Sequence, residues 1–215
     1  MKFKDRREAG ILLAGRLEKY KSSKYAIVLA IPRGGVEIGY EIAKNLDLRL
    51  EIIVTKKIGL PENDEFAIGS VGPNGSIIID DDAVKIYNLS KEYIEAKKKE
   101  LSREIKRRHR EYMGKNESSI LKGKIVILAD DGIATGYTAR SAIISIKAQQ
   151  PKKIILAVPI APKIFADYIK KYVDDIVCLK ITDDFFSVSQ FYENFSQLDD
   201  NDVKRYISQI RKESN

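Results

Sequence analysis

Two adjacent acids and the small and hydroxyl residues after them form the segment of this sequence best suited to chemistry. Asp130 and Asp131 directly follow an apolar stretch, and Gly132–Thr138 then reads Gly-Ile-Ala-Thr-Gly-Tyr-Thr. If a strand ends at the acids and a helix opens after them, the backbone N–H groups between would bind an anion. The carboxylates do not favour an anion, but they can accept hydrogen bonds from sugar hydroxyls. The pattern therefore predicts a site for a ribose phosphate.

Each residue of the loop has an expected part in this site. Thr135 and Thr138 would donate their hydroxyls to the phosphate, Gly136 would let the backbone approach it closely, and Ala134 and Tyr137 would complete the loop. An acid pair alone is more often a solvated turn that caps a helix. The complete run at the end of a predicted strand instead favours a ligand site, because ligands gather at the carboxyl ends of parallel strands.

Strands alternate with helices along the chain, so the acids belong to a predicted α/β fold. Apolar runs predict strands, and apolar residues at helical spacing predict helices. The strands are expected at Tyr25–Ile31, Leu50–Val54, Lys124–Ala129, Lys153–Val158 and Asp175–Leu179, and the helices at Arg6–Tyr20, Val36–Leu46, Ala139–Ala148 and Phe165–Tyr172. We therefore predict one domain over residues 1–215, with a mostly parallel central sheet and flanking helices.

Two segments interrupt or follow this alternation. Residues 66–114 are predicted to be an insertion, with a hairpin around Asn74-Gly75 and then a long helix over Lys91–Met113. Ser90 is the expected cap of that helix and Gly114 its expected stop. Residues 181–215 form an aromatic-rich C-terminal tail with a short terminal helix.

Charge and composition limit the classes of function. The formal net charge is +7, with much of the excess in Lys91–Arg110, and Cys178 is the single cysteine. The charge could attract nucleic acid or neutralise a phosphate-rich small substrate. The solvated face of a helix is the favoured interpretation of the basic segment. Since no stretch of about 20 apolar residues occurs, we expect a cytoplasmic protein without a membrane span.

Three motifs, in order along the chain, resemble those of the type I phosphoribosyltransferases. The run Ile125–Thr138 resembles the sugar-phosphate motif of that family. Ile31–Gly35, which reads Ile-Pro-Arg-Gly-Gly, is similar to its pyrophosphate loop, and Lys56-Lys57 is similar to its basic pair. The resemblance covers roughly Tyr25–Leu179 and is greatest to an uncharacterised group of the family.

The resemblance implies transfer of a phosphoribosyl group from phosphoribosyl pyrophosphate to a nitrogenous base or a related acceptor, with Mg²⁺ as cofactor. It assigns Arg33, Lys56 and Lys57, with the Gly34 and Gly35 amides, to the pyrophosphate. Asp130 and Asp131 would hold the ribose hydroxyls and are also the candidate metal ligands, with Mg²⁺ held mainly by the substrate. It further implies a non-proline cis peptide near Arg33–Gly34, a mobile flap for which Gly59–Glu65 is the candidate, and a homodimer.

The acceptor is the least defined part of this prediction. Enzymes of this family that act on 6-oxopurines usually carry an aspartate where this chain has Ala134, which argues against those bases. Phe185, Phe186 and Tyr192 could stack on a base, although packing in the core is the more common role of such residues. An alternative function is a non-catalytic regulator that senses a ribose-phosphate metabolite and binds RNA or DNA through the basic helix.

Overall fold

The computed structural model describes residues 2–73, 75–114 and 120–213. Its central element is a parallel sheet of five strands in the order β2-β1-β6-β7-β8. These strands are β1 (Ala26–Ala30), β2 (Arg49–Ile52), β6 (Ile125–Ala129), β7 (Lys153–Pro162) and β8 (Asp175–Thr182). The predicted α/β fold with a mostly parallel sheet is confirmed.

Helices cover both faces of this sheet, as the continuous apolar runs of the strands require. One face packs against α1 (Arg6–Arg16), α2 (Gly34–Leu46), α4 (Lys91–Met113) and α7 (Asp200–Glu213), and the other packs against α5 (Tyr137–Lys147) and α6 (Lys163–Ile169). Alternate residues of each strand enter the two cores: in β1, Val28 lies on the first face and Leu29 on the second.

A second, antiparallel sheet lies between β2 and the long helix α4 in the chain. It contains β3 (Lys56–Leu60), β4 (Asn63–Val71) and β5 (Ile77–Ile79), and a short helix α3 (Asp81–Ile86) follows it. The predicted hairpin is β4–β5, and its turn residue Asn74 lies outside the described residues. The sheet begins at Lys56, before the expected insertion boundary at residue 66, and neither β3 nor α3 follows from the sequence pattern.

The long helix begins and ends where its capping residues predict. The Ser90 hydroxyl accepts a hydrogen bond from the Tyr93 N–H at 3.1 Å, and Gly114 ends the helix in the left-handed conformation with φ 64°. Leu101, Ile105 and Tyr112 are buried along one stripe. His109 on the same helix is also buried.

The residues before α1 meet the first part of the C-terminal tail. The Phe3 N–H donates to the Phe191 carbonyl at 2.8 Å, and the Glu193 N–H donates to the Phe3 carbonyl at 2.8 Å. Phe3 and Tyr192 are buried, with ring centroids 5.5 Å apart. The C-terminal tail is thereby packed against the residues that precede α1.

Candidate functional site

The two principal motifs meet because β1 and β6 are parallel neighbours. Ala30 at the end of β1 is in register with Ala129 at the end of β6, and the Ile31 N–H donates to the Ala129 carbonyl at 2.9 Å. The loop Pro32–Gly35 and the acids Asp130 and Asp131 therefore leave the same edge of the sheet side by side. This is the edge at which parallel sheets bind ligands.

The loop after β1 is packed so closely on the acids that it requires glycine at two positions. A Cβ at Gly35 would lie 2.8 Å from both the Ala129 carbonyl oxygen and Asp130 Cα, and a Cβ at Gly34 would overlap Asp131 Oδ2. Gly34 is also the first residue of α2, so the N-terminus of that helix points at the acids. The two motifs, which the sequence analysis assigns to one site, therefore lie in contact with each other.

A non-proline cis peptide bond lies in this loop, as the family resemblance implies. It joins Pro32 to Arg33, one residue before the Arg33–Gly34 bond near which it was expected. Arg33 itself is exposed.

The two carboxylates have different surroundings. Asp130 Oδ1 accepts from the Asp131 N–H at 2.9 Å, whereas Asp131 Oδ2 accepts from Arg6 Nε at 2.8 Å. The Tyr192 hydroxyl donates to the Asp131 carbonyl at 2.6 Å. Asp131 is thus held by the N-terminal helix and by the C-terminal tail.

Burial sets the protonation behaviour of the pair. Loss of hydration, together with the neighbouring Asp131 charge, raises the pKa of Asp130 well above its usual range. Burial also raises the pKa of Asp131, but the Arg6 guanidinium opposes this shift. The arrangement therefore favours the charge on Asp131 over the charge on Asp130.

The loop before α5 is open to solvent in the way a phosphate cradle requires. Ala134, Thr135, Tyr137 and Thr138 are exposed, and Gly136 precedes the first turn of α5 with φ 77°. A Cβ at Gly136 would overlap the ring of Phe165, so the chain requires glycine here for space as well as for conformation. The N–H groups of the first helical turn are then available to an anion.

The basic pair lies in β3, where successive side chains point to opposite faces. Lys56 Nζ forms a 2.7 Å ion pair with Glu104 Oε1 of α4, and this contact lowers the pKa of Glu104. Lys57 is exposed. The long helix therefore supplies a carboxylate to one of the two lysines expected at the pyrophosphate.

The three aromatic residues proposed for base stacking lie in different environments. Phe186 is 90% exposed, and Phe185 is half-buried with its ring centroid 5.5 Å from that of Phe191. Tyr192 is 4% exposed, so its ring offers no free face for stacking. Of the three, Phe186 presents the largest accessible surface to a ligand.

The segment proposed as a flap is the tip of the β3–β4 hairpin. β3 ends at Leu60 and β4 begins at Asn63, so most of Gly59–Glu65 is strand and not the open loop that was expected. The strands shift register around Gly59, which marks a β-bulge near the tip.

Arg6 is one of two site residues that sequence reasoning missed. It is separated from Asp131 by 125 positions, and no local pattern links them. Glu104 was missed for the same reason. The one sequence signal for Arg6 and Glu104 is the basic character of the segments in which they lie.

Comparisons with known proteins agree with the geometry. Residues 6–196 match the family described as the phosphoribosyl transferase domain. Two relatives from strains of Mycobacterium tuberculosis, provisionally named phosphoribosyl transferases, are 36% identical over 211 residues. That alignment covers 98% of this chain and 47% of the relatives, so the chain spans about half their length.

Solved structures show the same fold. The crystal structure of the Thermus thermophilus protein TT1426 has a TM-score of 0.83 and 32% identity, covering 97% of this chain and 99% of that chain. A structure of the Aquifex aeolicus protein AQ2163 has a TM-score of 0.52 and 16% identity, covering 82% and 74% of the two chains, and shows similarity of fold alone.

Proposed function

Because this chain belongs to the phosphoribosyl transferase family, we propose that it transfers the phosphoribosyl group of phosphoribosyl pyrophosphate to a nitrogenous acceptor and releases pyrophosphate. The observation that carries this proposal is the meeting of the loop Pro32–Gly35 with Asp130 and Asp131 at the edge shared by β1 and β6. One loop suits the leaving pyrophosphate and the other suits the ribose phosphate.

The proposed chemistry separates charge between the two loops. As the bond between ribose and pyrophosphate breaks, positive charge develops on the sugar ring and negative charge on the leaving group. Arg33, the amides of Gly34 and Gly35, and Lys56 and Lys57 would stabilise the negative charge. Asp130 and Asp131 would accept hydrogen bonds from the ribose hydroxyls and favour the positive charge on the ring.

The 5-phosphate would be bound by the loop before α5. Thr135 and Thr138 would donate their hydroxyls, and the amides around Gly136 would contact the phosphate oxygens. Because Ala134 and Tyr137 contribute backbone N–H groups to the same loop, this grip does not depend on a basic side chain.

The acids fit the way in which proteins hold Mg²⁺ together with a phosphorylated substrate. Mg²⁺ is commonly bound by one or two carboxylates and by substrate phosphates. Within the described residues, no group of three or more His, Cys, Asp or Glu side chains is placed to hold a metal ion. Asp130 and Asp131 are the candidate carboxylates, and the bound ion would neutralise charge on the pyrophosphate.

Ligand binding and turnover provide the test of this function. We expect calorimetry to detect phosphoribosyl pyrophosphate binding in the presence of Mg²⁺, and a panel of bases to include at least one that releases pyrophosphate. Asp130→Asn combined with Asp131→Asn should abolish sugar binding while the protein stays folded. An absence of both sugar binding and pyrophosphate release would refute the proposal.

Ala134 narrows the choice of acceptor. Since the aspartate usual in enzymes for 6-oxopurines is missing there, we expect hypoxanthine, guanine and xanthine to be poor acceptors in the panel. The inference from Ala134 would be contradicted if one of these three bases were an acceptor and no other base in the panel were.

The regulatory alternative finds less support. Basic residues of α4 pair with glutamates of the same helix, as in Lys97–Glu100 at 3.2 Å and Arg107–Glu111 at 3.1 Å. Such pairs are typical of a solvated helix face.

Among the described residues, no helix combines the length and the apolar composition that crossing a membrane requires.

We also propose that the protein acts in nucleotide metabolism as a homodimer. Sedimentation at micromolar concentration tests the assembly, and a single monomeric species would exclude the dimer. We also keep the predicted domain organisation as a proposal: one domain over residues 1–215, with an insertion at 66–114 and a tail at 181–215.

A further inference from the structure

Arg6 is a buried arginine whose guanidinium contacts three residues near the site. It is 4% exposed; its Nε donates to Asp131 Oδ2 at 2.8 Å, and its Nη1 donates to the Ser196 carbonyl at 2.8 Å. The guanidinium carbon lies 3.8 Å from the ring centroid of Phe195. A buried guanidinium is costly unless it is paired and hydrogen-bonded, so these contacts account for its burial.

The neighbours of Arg6 hold it in place through contacts other than its ion pair with the Asp131 carboxylate. Residues 3–6 and 191–196, which we call the terminal strap, are joined by backbone hydrogen bonds between Phe3 and Phe191, Phe3 and Glu193, and Lys4 and Asn194. The strap also contacts the backbone of Asp131 through the Tyr192 hydroxyl. It therefore holds Asp131 at two points, once by the main chain and once by the carboxylate.

We propose that Arg6 is a positioning residue for sugar binding, which engages one oxygen of Asp131 so that the other is presented to a ribose hydroxyl. This inference rests on the proposed function, because it assumes that Asp131 contacts the sugar. It assigns to a residue of the first helix, outside the three motifs, a part in the recognition of ribose.

The physical reason is preorganisation. An aspartate has two rotatable side-chain bonds, and a hydrogen bond to the sugar is weakened if the carboxylate must be ordered at the moment of binding. A charged hydrogen bond to a buried, stacked arginine restricts both rotations beforehand.

A purely structural role for Arg6 makes a different prediction. If Arg6 only joined the terminal strap to the sheet, its loss would lower stability and would weaken every ligand of the site to a similar extent. If it acts through Asp131, its loss should affect only ligands that carry the hydroxyls, and should have no effect once Asp131 is removed. The two roles are therefore separable by the choice of ligand.

The experiment compares ribose 5-phosphate, 2-deoxyribose 5-phosphate and inorganic phosphate by calorimetry on the full chain. We expect the wild type to bind ribose 5-phosphate more tightly than the deoxy sugar. Arg6→Gln should reduce that preference by roughly tenfold, the loss expected for one charged hydrogen bond, with phosphate affinity unchanged. Arg6→Lys, which keeps the charge, should retain part of the preference.

Two further variants complete the comparison. Arg7→Gln is the matched control, because Arg7 lies beside Arg6 in α1 but its side chain is 71% exposed and faces Glu41 at 3.7 Å. It should bind all three ligands as the wild type does. In the Asp131→Asn background, adding Arg6→Gln should cause no further loss of ribose preference.

The outcomes separate the inference from the proposed function. If the wild type prefers ribose 5-phosphate and Arg6→Gln keeps that preference, the inference is wrong and the proposed function stands. Equal losses for all three ligands would also overturn it, since Arg6 would then act on the fold alone. If the wild type binds neither sugar, the proposed function fails and the inference fails with it. Should Arg6→Gln not fold, Arg6→Lys decides: a partial loss of ribose preference with unchanged phosphate affinity supports positioning, and weakening of all ligands alike refutes it.

Discussion

The close packing of the two loops makes Gly34→Ala a direct test of the site. A Cβ at Gly34 would overlap Asp131 Oδ2, the oxygen that accepts from Arg6 at 2.8 Å. The φ of Gly34 is not positive, so alanine meets no backbone strain at this position. The effect of the substitution is therefore steric, and the carboxylate of Asp131 has to move.

The size of the effect lies between two limits. Inserting a methyl group into a packed region costs about 1–3 kcal/mol, and leaving a buried charge without its partner costs about 3–5 kcal/mol. Arg6 keeps its bonds to Ser196 and its contact with Phe195, so we expect the lower range, about 1–3 kcal/mol of unfolding free energy. A domain stable by about 5–15 kcal/mol stays folded after such a loss.

Urea unfolding and calorimetry with ribose 5-phosphate measure the two consequences. The displaced carboxylate should lower affinity for the sugar by about 10-fold to 100-fold, as expected when a charged hydrogen bond is lost. Gly15→Ala is the control, because a Cβ there meets nothing within 4 Å. Gly15 lies within α1, so alanine should raise stability by about 0.5–1 kcal/mol.

The reasoning is refuted by a Gly34→Ala protein that unfolds like the wild type and binds the sugar equally well. That result would mean that Asp131 can leave its position at no cost, and hence that the contact with Arg6 does not hold it.

Three further changes test the electrostatics of the structure. Glu104→Gln should release Lys56 and strengthen pyrophosphate binding up to about fivefold, since a half-exposed ion pair is worth about 0.2–1 kcal/mol; unchanged or weaker binding in a calorimetric titration contradicts this. Asp130→Asn should raise the unfolding free energy at pH 7 by about 0.5–2 kcal/mol. The pKa of Asp130 is raised in the folded protein, so the wild type loses stability as the pH rises through that pKa, and the asparagine variant does not. In unfolding curves below about pH 4 the two proteins should have the same stability. The Tyr112 hydroxyl donates to Asp200 Oδ1 at 2.6 Å, and burial together with that contact raises the pKa of Tyr112 to about 12. The contribution of Tyr112 to the unfolding free energy should be complete below pH 10 and should be lost as the pH rises towards 12. The Tyr112→Phe variant should not show this loss when its unfolding is measured at alkaline pH.

Features with local signals could be predicted from the sequence. The ends of α4 follow from Ser90 and Gly114, because each satisfies backbone groups within one turn of its own position. The strands β1 and β6 could be predicted from their continuous apolar runs, which are typical of parallel strands buried on both faces of a sheet. The shared edge of Pro32–Gly35 and Asp130–Asp131 then follows from parallel pairing alone.

Features that depend on distant partners could not be predicted. β3 opens with Lys56-Lys57, a polar start that gives no strand signal, and it forms because Lys56–Ile58 pair with Gly69–Val71. The buried state of His109 depends on the packing of α4 against the fold, and its own segment is strongly basic. In both cases the tertiary contact overrides the local preference.

The same division applies inside the site and explains why motifs locate it without defining its chemistry. A motif specifies which backbone amides and acids lie together, since these are consecutive in the chain. The contacts of each charged side chain involve groups that the motif does not contain, since Asp131 pairs with Arg6 and Lys56 pairs with Glu104. On the proposed function, we therefore expect chains that share the loop Asp130–Thr138 but differ at residue 6 to bind the same phosphate with different preferences for the sugar.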